Sequence, residues 1–440
     1  MQPKRPNIIF IVADDLGFAD LGCYGGRDAS FGKVSPVLDG LAANGLRFTQ
    51  GYANSPVCSP TRFALMTGRY QYRLRGAAEE PINSRARTST TLGLPTDHPT
   101  LPSLLKDAGY RTALIGKWHL GYPPAFGPLR SGYEEFFGPM AGGVDYFTHC
   151  ASTGAPDLWS GEEEKDEPGY LTDLLSHRAV GYVDRMAQQQ SPFFLSLHYT
   201  APHWPWETRD DHALAQEVKS NLFHLHGGNV QTYQKMIHHM DEGIGWIMDA
   251  LRRNGQERDT LVVFTSDNGG ERFSDNWPLV GGKMDLTEGG IRVPWIAHWP
   301  AAIAPGGVSA QHCMTMDWSA TLLDAGGAKA DAAYPLDGVN LLPVLRDPSQ
   351  SFARPLHWRM NHRGQRALRD GDWKYLRVDG HDYLFNLPAD ARERANQSGR
   401  EPQRLAAMQG AWEAWNDTMP PIPGDATVSL GYGAKDMPQR

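Results

Sequence analysis

An alternation of short apolar runs with helix-like segments constrains the fold of this chain more than any other feature, and it covers about the first 345 residues. Four of the runs have the length and the β-branched, apolar composition of fully buried parallel strands: 7–13, 111–116, 193–198 and 260–265. The clearest helix is 230–252, where apolar residues recur at i, i+3 and i+4. This alternation predicts an α/β fold in which helices sandwich a mainly parallel central sheet.

The pattern changes towards the C-terminus. Short strand-like runs lie between 354 and 387, with Gly371 as a turn between two of them, and residues 401–415 have the pattern of a closing helix. We therefore predict a small antiparallel sheet with a helix after the larger α/β unit. The expected division is a catalytic α/β domain (1–350), a C-terminal α+β subdomain (351–420) and an extended tail (421–440).

Composition excludes several classes of protein. The chain has 440 residues and only four cysteines, so it can bury a large core and is not a small disulfide scaffold. Its net charge of −8 does not suit a nucleic-acid-binding protein, and no run approaches the roughly 20 apolar residues of a membrane span. The apolar run near the N-terminus ends in Asp14-Asp15 instead of a cleavage site, so we expect no signal peptide. The sequence favours a cytoplasmic protein, or a periplasmic or secreted one if a signal has been removed.

Residues that can bind a metal or move a proton follow each predicted strand: Asp14 and Asp15, Lys117 and His119, His203, and Asp267 and Asn268. In open α/β sheets, ligands bind beyond the carboxyl ends of the strands. The three carboxylates and the amide oxygen in this set would form an oxygen-only site, which suits Ca²⁺ or Mg²⁺ better than zinc. The pattern indicates one divalent-metal site with lysine and histidine beside it.

Each member of this set also has a purely structural interpretation. Asp-Asp-Leu-Gly and Asp-Asn-Gly-Gly are good turn sequences in their own right. A single histidine is more often a hydrogen-bonded structural residue than a ligand, and Lys117 alone would be a surface charge. The functional interpretation depends on all the groups lying at equivalent strand ends.

The segment CSPTRFALMTGR (58–69) carries the signals of a short helix, since Ser59 can cap its start and Gly68 can end it. Cys58 would then lie at the positive end of the helix, where an anion is favoured. Arg62 would follow one turn later, where its guanidinium can bind an oxyanion. The alternative is an ordinary buried cysteine, or a reactive thiol, beside a helix start.

The motif Cys58-Ser59-Pro60-Thr61-Arg62, continued through Leu65-Met66-Thr67-Gly68-Arg69, resembles the signature of the type I sulfatases, within the alkaline phosphatase superfamily. Further segments match in the family's order and span about four fifths of the chain: PNIIFIVADDLG, GKWHLG, APHWP, TSDNGG, Lys283, EGGIRVP and LDGVNLLPVL. The resemblance implies an arylsulfatase-like enzyme that hydrolyses the sulfate monoesters of aryl compounds or carbohydrates.

By this resemblance, a maturation enzyme oxidises Cys58 to formylglycine, whose hydrate is a geminal diol. One hydroxyl attacks sulfur and the alcohol leaves. The second hydroxyl is then deprotonated, sulfate is expelled and the aldehyde returns. The advantage over a serine nucleophile is that a sulfated hemiacetal can collapse by elimination.

The resemblance also assigns roles to the other matching positions. Asp14, Asp15, Asp267 and Asn268 match the calcium ligands of the family. Among the catalytic residues, Arg62 would support formylglycine and Lys117 would bind sulfate. His119 matches the residue that deprotonates the intermediate, and His203 and Lys283 match the pair that binds sulfate and can protonate the leaving oxygen.

The sequence departs from the family pattern at two places. Thr61 stands where many members have serine, and Gly143 stands where some members have a serine that contacts sulfate. Asp145 and His149 are polar residues that could line the substrate side. Aromatic residues after His203 would suit an aryl group or a sugar face, with core packing as the alternative.

Two other functions stay open at this point. One is a phosphonate monoester or phosphodiester hydrolase of the same superfamily, and the other is a non-catalytic protein that binds sulfate esters. For the enzyme itself we expect a small sulfate-ester substrate and, as a common default, a homodimer.

Overall fold

The computed structural model describes residues 5–74, 81–218, 222, 227–424 and 426. The strands in chain order are β1 (Asn7–Ala13), β2 (Leu46–Phe48), β3 (Gly51–Tyr52), β4 (Arg111–Gly116), β5 (Glu135–Pro139), β6 (Leu158–Ser160), β7 (Glu163–Glu164), β8 (Phe193–His198), β9 (Thr260–Ser266), β10 (Trp295–His298), β11 (Gly307–Ser309), β12 (Cys313–Met314), β13 (Leu356–Met360), β14 (Gln365–Asp370), β15 (Trp373–Val378) and β16 (His381–Asn386). The helices are α1 (Asp28–Phe31), α2 (Pro36–Ala43), α3 (Cys58–Thr67), α4 (Leu101–Asp107), α5 (Leu171–Met186), α6 (His212–Val218), α7 (Val230–Arg253), α8 (Glu288–Ile291), α9 (Thr315–Ala325), α10 (Leu342–Arg346) and α11 (Pro402–Asn416).

The main sheet has ten strands within the described residues, in the order β11-β2-β10-β9-β1-β8-β4-β5-β6-β7. Its centre, from β9 through β5, is parallel, and antiparallel strands flank it on both sides. The central strands are almost wholly buried, which explains their uninterrupted apolar composition. The predicted α/β class with a mainly parallel sheet is therefore confirmed.

Helices pack in two sets around this sheet. Helices α2 and α5 both contact α7, whereas α3 and α4 contact α9. Helix α7 begins where the sequence predicts, and Asn229 caps it by accepting a hydrogen bond from the Thr232 backbone N–H (2.9 Å). Its buried face carries the predicted apolar residues, including three methionines, as expected for core packing.

A separate antiparallel sheet of four strands, β13-β14-β15-β16, follows the main unit, as the sequence predicts. Gly371 forms the turn between β14 and β15 with φ of 53°, a conformation that favours glycine. Helix α11 packs on one face of this sheet through Met408 and Trp412. Most of the predicted extended tail (421–440) lies outside the described residues.

Strands β6 and β7 form a short antiparallel extension of the main sheet that the sequence pattern does not predict. They have three and two residues, too few to show a two-residue periodicity.

Among the helices of the described part of the chain, none has the length and apolar character needed to cross a bilayer.

Candidate active site

The carboxyl ends of the central strands bring the predicted acidic residues together. Ala13 of β1 pairs with Ser266 of β9, so Asp14 and Asp267, the next residues of each strand, leave the sheet side by side. Asp15 and Asn268 follow, and the Asn268 side-chain N–H donates to Asp15 Oδ1 (2.7 Å). All four side chains are buried.

This acidic cluster has the donor set of a hard-cation site. Ligand atoms of Asp14, Asp15 and His203 lie within 4.8 Å of one another, as do those of Asp14, Cys58 and Asp267. Asp14 Oδ1 and Asn268 Oδ1 are buried without a hydrogen-bond partner among the described residues. Buried oxygens without donors are costly unless a cation or water satisfies them. The residues therefore fit a divalent cation such as Ca²⁺.

Two lysines and one arginine balance the buried carboxylates. Lys117 Nζ lies 2.5 Å from Asp14 Oδ2, and Lys283 Nζ lies 2.7 Å from Asp15 Oδ2. Burial and the adjacent Asp267 carboxylate outweigh Lys117 and raise the pKa of Asp14 to about 8. Burial opposes ionisation of Asp15 as well, but there Lys283 and His203 prevail, and the pKa of Asp15 lies below its ordinary value.

Cys58 is the first residue of α3, and its side chain is 3% exposed. It thus lies at the positive end of the helix, as the sequence predicts. Burial raises the pKa of the Cys58 thiol to about 12, despite the nearby lysines. Gly68 ends the helix in the left-handed conformation, with φ of 64°.

The predicted N-cap role of Ser59 is wrong. The N-cap position is Val57, which offers no side-chain hydrogen bond, and Ser59 lies inside the first turn. Its hydroxyl accepts a hydrogen bond from the Ile82 backbone N–H (2.8 Å). A serine before a proline has the local signature of a cap, but here a contact with a distant loop uses the hydroxyl instead.

Arg62 ties the helix to the acidic cluster. Its Nη2 and Nε atoms donate to Asp267 Oδ2 (2.8 and 3.1 Å), and Nη1 donates to the Lys117 backbone carbonyl (3.0 Å). Both side chains of the ion pair are at most 2% exposed. The guanidinium therefore fixes α3, and with it residue 58, against the ends of β9 and β4.

The two predicted histidines are oriented by backbone carbonyls. His119 donates from Nε2 to the Ile82 carbonyl (2.5 Å), and its Nδ1 is buried without a hydrogen-bond partner in the described structure. His203 donates from Nδ1 to the Trp204 carbonyl (2.7 Å), and its Nε2 lies 3.6 Å from Asp15 Oδ2. Burial, with Lys117 for His119 and Lys283 for His203, holds both pKa values well below their ordinary range.

A glycine pair packs directly on these histidines. A Cβ atom built on Gly142 would lie 2.4 Å from His119 Cε1, and one on Gly143 would lie 3.0 Å from His203 Cε1. From the sequence, Gly143 is notable only because it lacks the hydroxyl of the serine that some family members have at this position. In the structure a side chain at Gly143 would also be tightly confined, because its Cβ would lie against the His203 imidazole and the Trp204 ring (3.0 and 3.2 Å).

Glu271 is a residue of this site that sequence reasoning missed. Its Oε2 atom lies 3.6 Å from Lys283 Nζ and accepts a hydrogen bond from Trp204 Nε1 (3.0 Å). Burial raises the pKa of Glu271 to about 8. Its only signal in the sequence is its place directly after the Asp-Asn-Gly-Gly motif.

Asp145 and His149 make structural contacts in their own loop. Asp145 Oδ1 accepts hydrogen bonds from the backbone N–H groups of Phe147 (2.9 Å) and Thr148 (2.6 Å). His149 donates from Nε2 to the Gly169 carbonyl (3.2 Å). A role of either residue on the substrate side stays a prediction.

This chain matches known proteins over most of its length. A profile of the sulfatase family matches residues 6–328. N-acetylgalactosamine-6-sulfatase from Mus musculus is 34% identical over 378 residues, which cover 81% of this chain and 69% of that protein. The chain covers 66% of the Rattus norvegicus enzyme of the same name, and so spans about two thirds of the length of these relatives.

Two further matches cover nearly the whole chain. Arylsulfatase J from Mus musculus is 29% identical over 480 residues, with 95% of this chain and 77% of that protein covered. The crystal structure of Ps i-CgsB in complex with k-i-k-neocarrahexaose has a TM-score of 0.82 and 34% identity, with 94% and 93% of the two chains covered. The named relatives are sulfuric ester hydrolases, so the predicted enzyme class is confirmed. This chain belongs to the sulfatase family.

Proposed function

We propose that the protein removes sulfate from carbohydrate sulfate monoesters, with residue 58 as nucleophile after conversion to formylglycine. The geometry of the site supports this chemistry, and the names of the relatives support the substrate class. One relative is named N-acetylgalactosamine-6-sulfatase, and one similar structure is a complex with k-i-k-neocarrahexaose.

The position of Cys58 is the observation that carries this proposal. Its sulfur lies within 4.8 Å of carboxylate oxygens of Asp14 and Asp267, at the positive end of α3. A thiol with a pKa of about 12 is almost wholly protonated at neutral pH and is a poor nucleophile. An unmodified Cys58 thiol would therefore contribute little to catalysis at this position, whereas its conversion to an aldehyde hydrate would supply an oxygen nucleophile there.

Lys117 and Lys283 flank this position and would bind the sulfuryl oxygens. Each ammonium is fixed by a carboxylate, at 2.5 Å for Lys117 and 2.7 Å for Lys283, so neither has to reorganise when substrate binds. Such preorganised charge is commonly the largest contribution to catalysis of this type. Arg62 fixes α3, which carries residue 58, through its ion pair with Asp267.

The histidines can divide the proton transfers. His119 donates a hydrogen bond from Nε2 to the Ile82 carbonyl, which leaves the lone pair on its buried Nδ1. That nitrogen can accept a proton from the second hydroxyl of residue 58. Lys283 lies beside His203, and its ammonium can deliver a proton to the leaving oxygen, whereas His203 Nε2, with the ring proton on Nδ1, can accept one in return. General acid–base catalysis typically contributes about 100- to 10,000-fold.

Asp14, Asp15, Asp267 and Asn268 would hold one Ca²⁺. A cation in this place would polarise a sulfate oxygen and favour the ionised form of the attacking hydroxyl. The unpartnered Oδ1 atoms of Asp14 and Asn268 support this assignment, because each is an oxygen donor with no other bond to make within the described structure.

Mass spectrometry of the peptide that contains residue 58, combined with sulfate release, tests the proposal. Protein co-expressed with a formylglycine-generating enzyme should carry the aldehyde and should release sulfate from sulfated galactosamine or carrageenan oligosaccharides. Cys58→Ala should fold normally and release none. A fully unmodified thiol in active protein would contradict the nucleophile assignment.

A parallel assay with aryl phosphonate and aryl sulfate esters separates the related chemistries. We expect the sulfate ester to be the better substrate, and a strong preference for the phosphonate would overturn the proposed reaction. The maturation enzyme as partner, a homodimer and a cytoplasmic location stay predictions from the sequence.

A further inference from the structure

The four-stranded C-terminal sheet reaches the active site through Gln365, the first residue of β14. Its side chain is 2% exposed and contacts the main unit in place of solvent. Nε2 donates to the Met284 carbonyl (2.8 Å), and Oε1 accepts from the Leu286 backbone N–H (2.8 Å). One amide group thus binds two backbone groups within three residues of Lys283.

We call residues 283–288 the Lys283 segment. Its conformation is unusual, because Met284 has φ of 78°, a region that residues with a side chain rarely adopt. Such a backbone persists only where its surroundings hold it in place. The Met284 N–H is bound as well, since it donates to the Pro56 carbonyl (2.9 Å), two residues before Cys58.

The far end of the Lys283 segment is fixed by the same small sheet. Glu288 accepts a hydrogen bond from Lys374 Nζ of β15 (3.0 Å), and its backbone N–H donates to Glu393 Oε2 (2.7 Å). The Glu288 carboxylate also accepts from the Tyr52 hydroxyl (2.9 Å). Because the side chains of Glu288, Lys374 and Glu393 are at most 1% exposed, the end of the segment is anchored by charge-assisted hydrogen bonds in a low-dielectric setting.

We propose that Gln365 is a positioning residue of the active site, which sets the place of Lys283 by binding the backbone on either side of Asp285. The hydrogen bonds of its side chain in the described structure go to the Lys283 segment and to β13 and the turn after it, so it acts through the chain that connects it to Lys283. The four-stranded sheet is then part of the catalytic unit and not only an appendage that adds stability. This inference rests on the proposed function insofar as it takes Lys283 to bind sulfate.

Gln365→Leu tests the proposal, since it keeps the volume and removes both hydrogen bonds to the Lys283 segment. A misplacement of about 1 Å can cost about 100-fold in rate, so we expect a loss of that order in kcat/KM on an aryl sulfate. Gln365→Glu keeps the shape and the acceptor but loses the donor to the Met284 carbonyl. It replaces the leucine variant in the same assays if that variant folds poorly. Leu384→Ala is the matched control, because Leu384 is buried between the same sheet and α11, away from the Lys283 segment.

A double variant shows whether Gln365 acts through Lys283. If it does, Gln365→Leu should cost less than about threefold in a Lys283→Ala background, because the group it positions is already gone. A binding measurement supplies a second readout: in a Cys58→Ala background, Gln365→Leu should weaken the affinity for the aryl sulfate, whereas Leu384→Ala should lower only the melting temperature.

The proposal is overturned if Gln365→Leu stays within twofold of wild type while Lys283→Ala is impaired, or if the two losses multiply in the double variant. It is also overturned if Leu384→Ala loses as much activity as Gln365→Leu, since general destabilisation would then be the cause. A Lys283→Ala variant with full activity and affinity would refute the sulfate-binding role of Lys283 itself, and this separates a failure of the proposed function from a failure of the positioning role.

Discussion

Replacing Arg62 by methionine should destabilise the protein by an amount that the structure allows us to work out. Methionine keeps much of the side-chain volume but removes the guanidinium that binds Asp267 at 2.8 and 3.1 Å. Asp267 is 1% exposed, so its carboxylate would stay buried without its cationic partner. Breaking a buried ion pair in this way costs about 3–5 kcal/mol.

The corresponding change in melting temperature follows from the size of the chain. Unfolding entropy is about 2.1 cal/mol/K per residue, or about 0.9 kcal/mol/K for 440 residues. The loss of Arg62 should therefore lower the melting temperature by about 3–5 °C in EDTA. Calcium should reduce the difference in melting temperature between the wild type and the variant. In the variant the cation would compensate the Asp267 charge and would no longer be repelled by Arg62.

Differential scanning calorimetry in EDTA and in calcium checks both parts of this prediction. Arg253→Met is the control, since Arg253 pairs with Asp184 at 2.7 Å on the surface, where such pairs contribute about 0–1 kcal/mol. A loss below about 1 °C for Arg62→Met in EDTA would refute the estimate of the buried pair. A gap that widens with calcium would contradict the placement of the cation beside Asp267.

Three further changes test other parts of the site. Asp267→Ala should abolish both calcium binding and activity, and wild-type calcium content by elemental analysis would show that the ligand set is wrong. Gly142→Ala should lower kcat about 100-fold, because its Cβ would lie 2.4 Å from His119 Cε1, whereas Gly40→Ala, with open space around it, should leave kcat unchanged. Burial and a neighbouring aspartate raise the pKa of Glu207 to about 9, so the folded protein keeps a proton that the unfolded chain loses above its ordinary pKa, and stability falls as pH rises between these values. Glu207→Gln should flatten this fall in melting temperature between pH 5 and 9, and an unchanged slope would assign it to other groups.

The central sheet was predictable because buried parallel strands leave an unambiguous trace. Runs 111–116 and 193–198 coincide with β4 and β8 to the residue, since every position along them except Arg111 is buried. The ends of such strands then fix where polar residues must gather. Asp14 and Asp267 could be placed together from sequence for that reason alone.

Local signals failed where a tertiary contact decides the outcome. Ser59 has the sequence of a helix cap, yet its hydroxyl binds the Ile82 backbone and the N-cap position is Val57, two residues earlier. Gln365 belongs to no motif, because its role depends on which backbone groups the folded chain places opposite it. Glu271 is similar, since its neighbours Lys283 and Trp204 come from other segments of the chain.

The central place of β1 has a consequence for the order of events during synthesis. Its partners in the sheet are β8 and β9, and Asp15 and Asp267, which meet at its end, are 252 positions apart. Contacts of such long range form slowly, so an emerging chain presents residue 58 to the solvent well before β9 has been made. Once the sheet closes, that residue is 3% exposed. An enzyme that modified residue 58 would therefore have to act while the chain is still incomplete or unfolded, and the rate of folding would set the time available for that modification.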